Sequence, residues 1–175
     1  MAATTTEAPK RIEAPADECP DCLAGNLGWL LTQAHFNLVS EVGAALEPLG
    51  VSNRGYHVLA TARTGEYTQK ELAERIGLDK TTMVVTVDEL EEKGLAERRP
   101  SGTDRRARVI AVTQAGERVV ASGQKIIDQI QEDVLENLPA KERKVFLESL
   151  GSLVKDRLAQ PAPDAPPLRR REPRL

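Results

Sequence analysis

The chain has 175 residues, of which 29% are charged, 40% hydrophobic and 3% aromatic, with a formal net charge of -3. That length fits one domain of ordinary size with loose ends, because domains cluster at roughly 100 to 150 residues, and it excludes a large multidomain enzyme. No window approaches the ~20 uninterrupted apolar residues of a membrane span, and MAATTTEAPKRIEAPADECP lacks the apolar stretch of a secretory signal, so a cytoplasmic location is expected.

Residues 1–18, rich in Ala, Thr, Glu and Pro, are expected to form a disordered arm, and 19–158 a single folded domain. Leu27, Leu30, Leu31, Ala34, Leu38, Val42, Ala45 and Leu49 recur at helical spacing and predict an amphipathic helix over 23–49. At 1.5 Å per residue it would run about 40 Å, longer than a small core needs. Ser52 can cap a second helix carrying Tyr56, Val58, Leu59 and Ala62. Thr68-Gln69-Lys70-Glu71 is a capping box that opens a third, which carries Leu72, Ala73 and Ile76 and ends at Gly77. Asp79 then caps a fourth helix. Two short helices joined by a glycine turn make a helix-turn-helix.

At 100° per residue, Met83, Val84, Val87 and Leu90 of the fourth helix gather inward, Thr81, Thr82 and Val85 fall opposite, and Thr86 lies at the flank. The first turns are small and uncharged, whereas Asp88, Glu89, Glu91 and Glu92 are held back to the last turns, where they read as a solvated face. A helix start free of carboxylate is what entry into a major groove requires. After Lys93-Gly94, the runs Leu95–Arg99 and Ala107–Val112 read as a hairpin with a polar tip. Five arginines against one acid between Arg98 and Arg108 give a local charge of +4. Thr113 caps a fifth helix, with Val119, Val120, Ile126, Ile127, Ile130 and Val134 inward. Pro139 opens a sixth, with Val145, Phe146, Leu150, Leu153 and Val154 inward. Residues 159–175 are too proline-rich for regular structure and are expected to be a disordered tail, its arginines solvated.

The pattern is mainly α: a winged helix-turn-helix with long first and last helices and a small hairpin wing. Small polar side chains can approach base edges, and wing arginines can enter the narrow, electronegative minor groove. The candidate DNA contacts are Thr68 and Gln69, then Lys80, Thr81, Thr82, Val85 and Thr86, then Arg98, Asp104, Arg105 and Arg106. Neither catalysis nor a cofactor is expected, since no nucleotide-binding glycine loop, metalloprotease helix or triad spacing is present.

The stretch TQKELAERIGLDKTTMVVTVDELEEKGLAERRPSGTDRRARVIAVTQAGE resembles the winged-helix core of the MarR family of bacterial transcriptional regulators. The resemblance extends over roughly 23–157. It includes a D-x-R at Asp104-Arg105-Arg106 and a T-x-x-G at Thr113-Gln114-Ala115-Gly116. It implies that Arg106 reaches the minor groove while Asp104 orients it, that 23–49 and 114–158 are dimerisation helices, and that 52–113 is the DNA-binding lobe.

Sensing leaves several readings open. Cys19-Pro20-Asp21-Cys22 precedes the first helix, whose N-terminus favours a thiolate at Cys22, so the pair reads as a redox switch, a metal site or inert surface. His35, about 18 to 20 Å along the helix, is too far to share one intrachain metal with Cys22. Trp29 reads as packing or as a ligand wall. With His35, Tyr56 and His57 it would line an amphipathic pocket suited to an aromatic or phenolic ligand. The expected function is therefore a homodimeric repressor on a pseudo-palindromic operator in double-stranded DNA, relieved by such a ligand. The alternatives are a redox- or metal-responsive regulator through Cys19 and Cys22, and a winged-helix adaptor that binds protein instead of DNA.

Overall fold

The computed structural model describes residues 23–102, 104 and 106–159. Cys19, Cys22 and Arg105 lie outside them, as do the two expected terminal arms apart from Ala159.

Helix α1 spans Leu27–Leu46, shorter at both ends than periodicity predicts. The Asn26 side chain accepts the Trp29 N–H at 2.9 Å and sets the start, a cap to which apolar spacing is blind. Pro48 turns Glu47–Leu49 into a 3-10 turn before α2, Asn53–Ala62, which Ser52 caps through the Gly55 N–H at 3.1 Å. Helix α3, Gln69–Ile76, opens on the expected capping box. The Glu71 N–H donates to the Thr68 hydroxyl at 3.3 Å, and the Thr68 N–H donates to the Glu71 carboxylate at 2.7 Å. Gly77 ends it at φ 67°, a left-handed turn that a β-carbon would strain. Helix α4 follows over Lys80–Glu92.

Strands β1, Ala96–Pro100, and β2, Arg108–Val112, pair antiparallel from Ala96 opposite Val112 to Pro100 opposite Arg108, each one residue along from its predicted start. A third pairing was not foreseen. The segment between α2 and α3 joins the far side of β2, with Thr68 bridged to Val109 and the Ile110 N–H donating to the Tyr67 carbonyl at 3.0 Å. The start of the helix-turn-helix and the hairpin thus share one small sheet.

Helices α5, Gln114–Leu135, and α6, Ala140–Lys155, complete the described chain, which forms two compact units meeting between Val120 and Ala121 within α5. In the first, Leu46, Val58, Leu59, Leu72, Met83, Val87, Ile110 and Val120 are fully buried and make the core. In the second, α6 has no buried residue. Val145, Phe146, Leu153 and Val154, expected to face inward, are exposed, and so is Val134 of α5. Their helical spacing is real, but nothing among the described residues covers them.

Candidate nucleic-acid interface

The start of α4 is built by Asp79. Its carboxylate accepts the Thr82 hydroxyl at 2.6 Å and the Thr82 N–H at 3.0 Å, and these two bonds hold the carboxyl below its ordinary range. Thr82 therefore spends its hydroxyl proton on its own cap. Lys80, Thr81 and Val85 are exposed around it and form the open face of the helix. Thr86 corrects the expectation of a groove contact: it is 5% exposed and its hydroxyl donates to the Thr82 carbonyl at 2.8 Å. A flank position on a helical wheel can fall on either side. Here the backbone carbonyl one turn back satisfies the hydroxyl and lets it go under.

At the root of the hairpin, Arg98 is clamped onto α4 and α3. Its guanidinium donates to the Asp88 carboxylate at 2.6 Å, to Glu91, and to the Gln69 side-chain oxygen at 3.2 Å. The Arg98 backbone N–H donates to the other Glu91 oxygen at 2.6 Å. Desolvation works against the charge, but the Asp88 and Glu91 carboxylates outweigh it and hold the guanidinium protonated more firmly than usual. Arg98, expected to contact DNA, thus has its donors committed to protein. The same contacts correct the reading of Asp88 and Glu91 as mere solvation. Gln69 turns its oxygen to the clamp, and Thr68 spends its hydroxyl on Glu71, donating at 2.8 Å. Both candidates at the start of α3 serve local structure through those atoms.

The tip is held differently. Glu66, before α3, accepts the Ser101 hydroxyl at 3.0 Å and the Gly102 N–H at 3.2 Å, a contact that no local sequence signal marks. Within the turn, the Asp104 carboxylate accepts the Arg106 N–H at 2.9 Å. Asp104 therefore shapes the backbone that presents Arg106. Arg106 and Arg108 are exposed, and among the described residues their side chains enter no ion pair.

The far end of β2 is tied to the turn before β1. The Thr113 hydroxyl donates to the Gly94 carbonyl at 2.7 Å and accepts the Gly116 N–H at 3.1 Å, while the Thr113 N–H donates to the Leu95 carbonyl at 3.1 Å. A β-carbon on Gly116 would sit 2.1 Å from the Leu95 carbonyl oxygen. The T-x-x-G thus lets α5 start against the α4–β1 turn.

Of the residues considered for a ligand, Tyr56 is 4% exposed and its ring meets that of His57 edge-on, with centroids 5.9 Å apart. His57 keeps area at the surface yet is crowded by neighbouring atoms, and this partial desolvation lowers its pKa. Trp29 is half-buried and His35 exposed on α1. Six residues apart, they differ by about 120° around the helix axis, so they do not share one face.

A helix-turn-helix whose open helix face adjoins a basic hairpin rooted on that helix is a winged-helix DNA-binding module. Comparison with known proteins agrees. A family model described as MarR family matches residues 56–107, from α2 through the wing. The structure of CouR from Rhodococcus jostii RHA1 bound to p-coumaroyl-CoA is 30% identical, with a TM-score of 0.70, covering 78% of this chain and 97% of that one. A MarR-family transcriptional regulator from Rhodococcus sp. RHA1 is 29% identical, with a TM-score of 0.70, over 78% of this chain and 99% of its own. CouR bound to a 23-mer DNA duplex is 25% identical, with a TM-score of 0.66, over 73% and 92% of the two chains. The chain belongs to the MarR family of DNA-binding transcriptional regulators. Among the described residues, no helix is long and apolar enough to cross a membrane.

Proposed function

We propose that the chain is a cytoplasmic, homodimeric repressor that sits on a pseudo-palindromic operator and is released by a small aromatic or phenolic effector. One observation carries the DNA reading: α4 keeps Lys80, Thr81 and Val85 open ahead of its acids, beside a wing fixed at its root and open at Arg106 and Arg108. In this reading residues 52–113 are the DNA-binding lobe. Thr81 and Val85 meet base edges, Lys80 a phosphate, and Arg106, presented by Asp104 beside Arg105, the minor groove. A dimer so placed excludes polymerase by occupying the promoter.

Dimerisation through 23–49 and 114–158 is supported by apolar side chains that the described residues leave open, among them Leu27 and Phe36 of α1 and Val145 and Val154 of α6. Monomers rarely tolerate such patches. Two recognition helices then dock together when their spacing matches about one helical turn of DNA or a multiple of it. An effector acts by changing that spacing. The phenolic acyl group of the p-coumaroyl-CoA bound to CouR supports an aromatic ligand class.

The test is a gel shift with a fragment of the protein's own promoter at moderate salt, titrated with p-coumaroyl-CoA and with free phenolic acids. The expected result is a complex of two protomers per site that one of these compounds dissolves. Trp29 is the single tryptophan of the chain, so its fluorescence reports an effector seated against α1. An absent shift would favour the protein-binding adaptor.

A further inference from the structure

We infer that Val85 reads the 5-methyl group of a thymine in each operator half-site. The inference rests on the DNA-binding reading of the α4 face and gives that face a chemistry. Among the described residues between Val51 and Thr113, Val85 is the one large hydrophobic side chain left exposed, at 52%. Of its apolar neighbours in sequence, Met83 and Val87 are fully buried and Val84 is half-buried. Packing therefore does not account for an isopropyl group at this position.

The polar groups around it narrow the partner. Thr82 donates its hydroxyl proton to Asp79, and Thr86 is buried with its hydroxyl on the Thr82 carbonyl. Neither offers a free donor beside Val85. Thr81 is exposed one turn earlier, and the carboxylates of Asp88 and Glu89 come after. The middle of the face is thus an apolar knob between a small polar residue and acids. In the major groove the one apolar group on a base edge is the thymine methyl. The exposed guanidinium groups of Arg106 and Arg108, which enter no ion pair among the described residues, favour a polyanion as the occupant of this face over an apolar protein surface.

The full-length chain would be used to select duplexes from a random pool, and each thymine of a recovered duplex would then be replaced singly by deoxyuridine, which removes the methyl alone. One thymine per half-site is expected to lose about fourfold in affinity, the equivalent of one buried methyl, and replacing it in both half-sites about fifteenfold. In Val85→Ala that sensitivity should vanish, with little change in melting temperature, because about half of the side chain is already open to solvent. Methyl sensitivity that persists in Val85→Ala, or that appears at no thymine, overturns the inference while leaving DNA binding intact. A pool that yields no enriched duplex overturns both.

Discussion

At the root of the wing, Arg98 is 29% exposed and shared among Asp88, Glu91 and Gln69. At the tip, Arg106 is fixed through its backbone to Asp104, and its guanidinium pairs with no described carboxylate. Two arginines of one hairpin thus do opposite work. The first locks the direction in which the hairpin leaves α4, and the second spends its charge on whatever lies beyond. Composition alone assigned both to DNA, since both belong to the same +4 stretch. A cation's role follows from the acids that reach it after folding, and only an arginine with none to hand remains available to a phosphate.

The largest expected effect strikes the root. Gly116→Ala forces a methyl toward the Leu95 carbonyl that precedes β1, and unfolding in urea should show a loss of about 3 kcal/mol or more. Stability at the level of the unsubstituted chain would mean that the root is not rigid, and the contrast with the tip would collapse. Arg98→Ala comes next, at about 1–2 kcal/mol, because it removes the guanidinium from Asp88, Gln69 and one Glu91 oxygen at a partly exposed site, leaving Glu91 only the backbone N–H of residue 98. Operator affinity should fall with it, yet the slope of log affinity against log salt should stay unchanged, since no phosphate contact is lost. Arg106→Ala should do the reverse. Thermal stability should hold within about 0.5 kcal/mol, while the salt slope flattens by about one unit. Equal slopes for the two variants would break the division between root and tip.

The smallest effect lies at the helix starts. The Glu71 carboxyl is held below its ordinary value of 4.5 by the Thr68 N–H and hydroxyl, and that of Asp79 below 3.8 by Thr82. Because the folded values are depressed, both contributions are complete above those ordinary values and vanish as pH falls through the lower folded ones. Acid unfolding curves of Thr68→Ala should therefore be shallower below about pH 4.5, with Asp79 still contributing below about pH 3.8. An unaltered acid limb would show that the Thr68 hydroxyl adds nothing to the Glu71 shift beyond its N–H, which the variant keeps.

Much of this architecture was legible because it is local. Caps at Ser52, Thr68, Asp79 and Thr113 lie within three residues of the groups they satisfy, and the 3.6-residue period places Met83, Val87 and Leu90 inward without knowledge of the partner. Sequence does not reveal the role of Arg98 because its carboxylates approach only once the Lys93-Gly94 turn folds β1 back along α4. Thr86 sits on the border of the wheel, where hydrogen bonding to Thr82 decides the side. Pairing of Tyr67 and Thr68 with β2 escaped notice because two residues carry too little pattern to read as a strand. Helix α6 shows the opposite limit: its apolar stripe is plain in the sequence, but nothing among the described residues covers it.

The Glu91 carboxylate also changes what the hairpin can do to other molecules. With β2 flanked on its far side by Tyr67 and Thr68, β1 is left as the outer strand among the described residues. Such a strand presents a row of free N–H groups on which a foreign strand can grow. On β1 the outward N–H of Arg98 is already taken by Glu91, and two residues on Pro100 has none to give. The contact that aims the wing therefore also keeps its edge from seeding sheet addition. Loss of Glu91 should register as turbidity in concentrated solution as well as in weakened DNA binding.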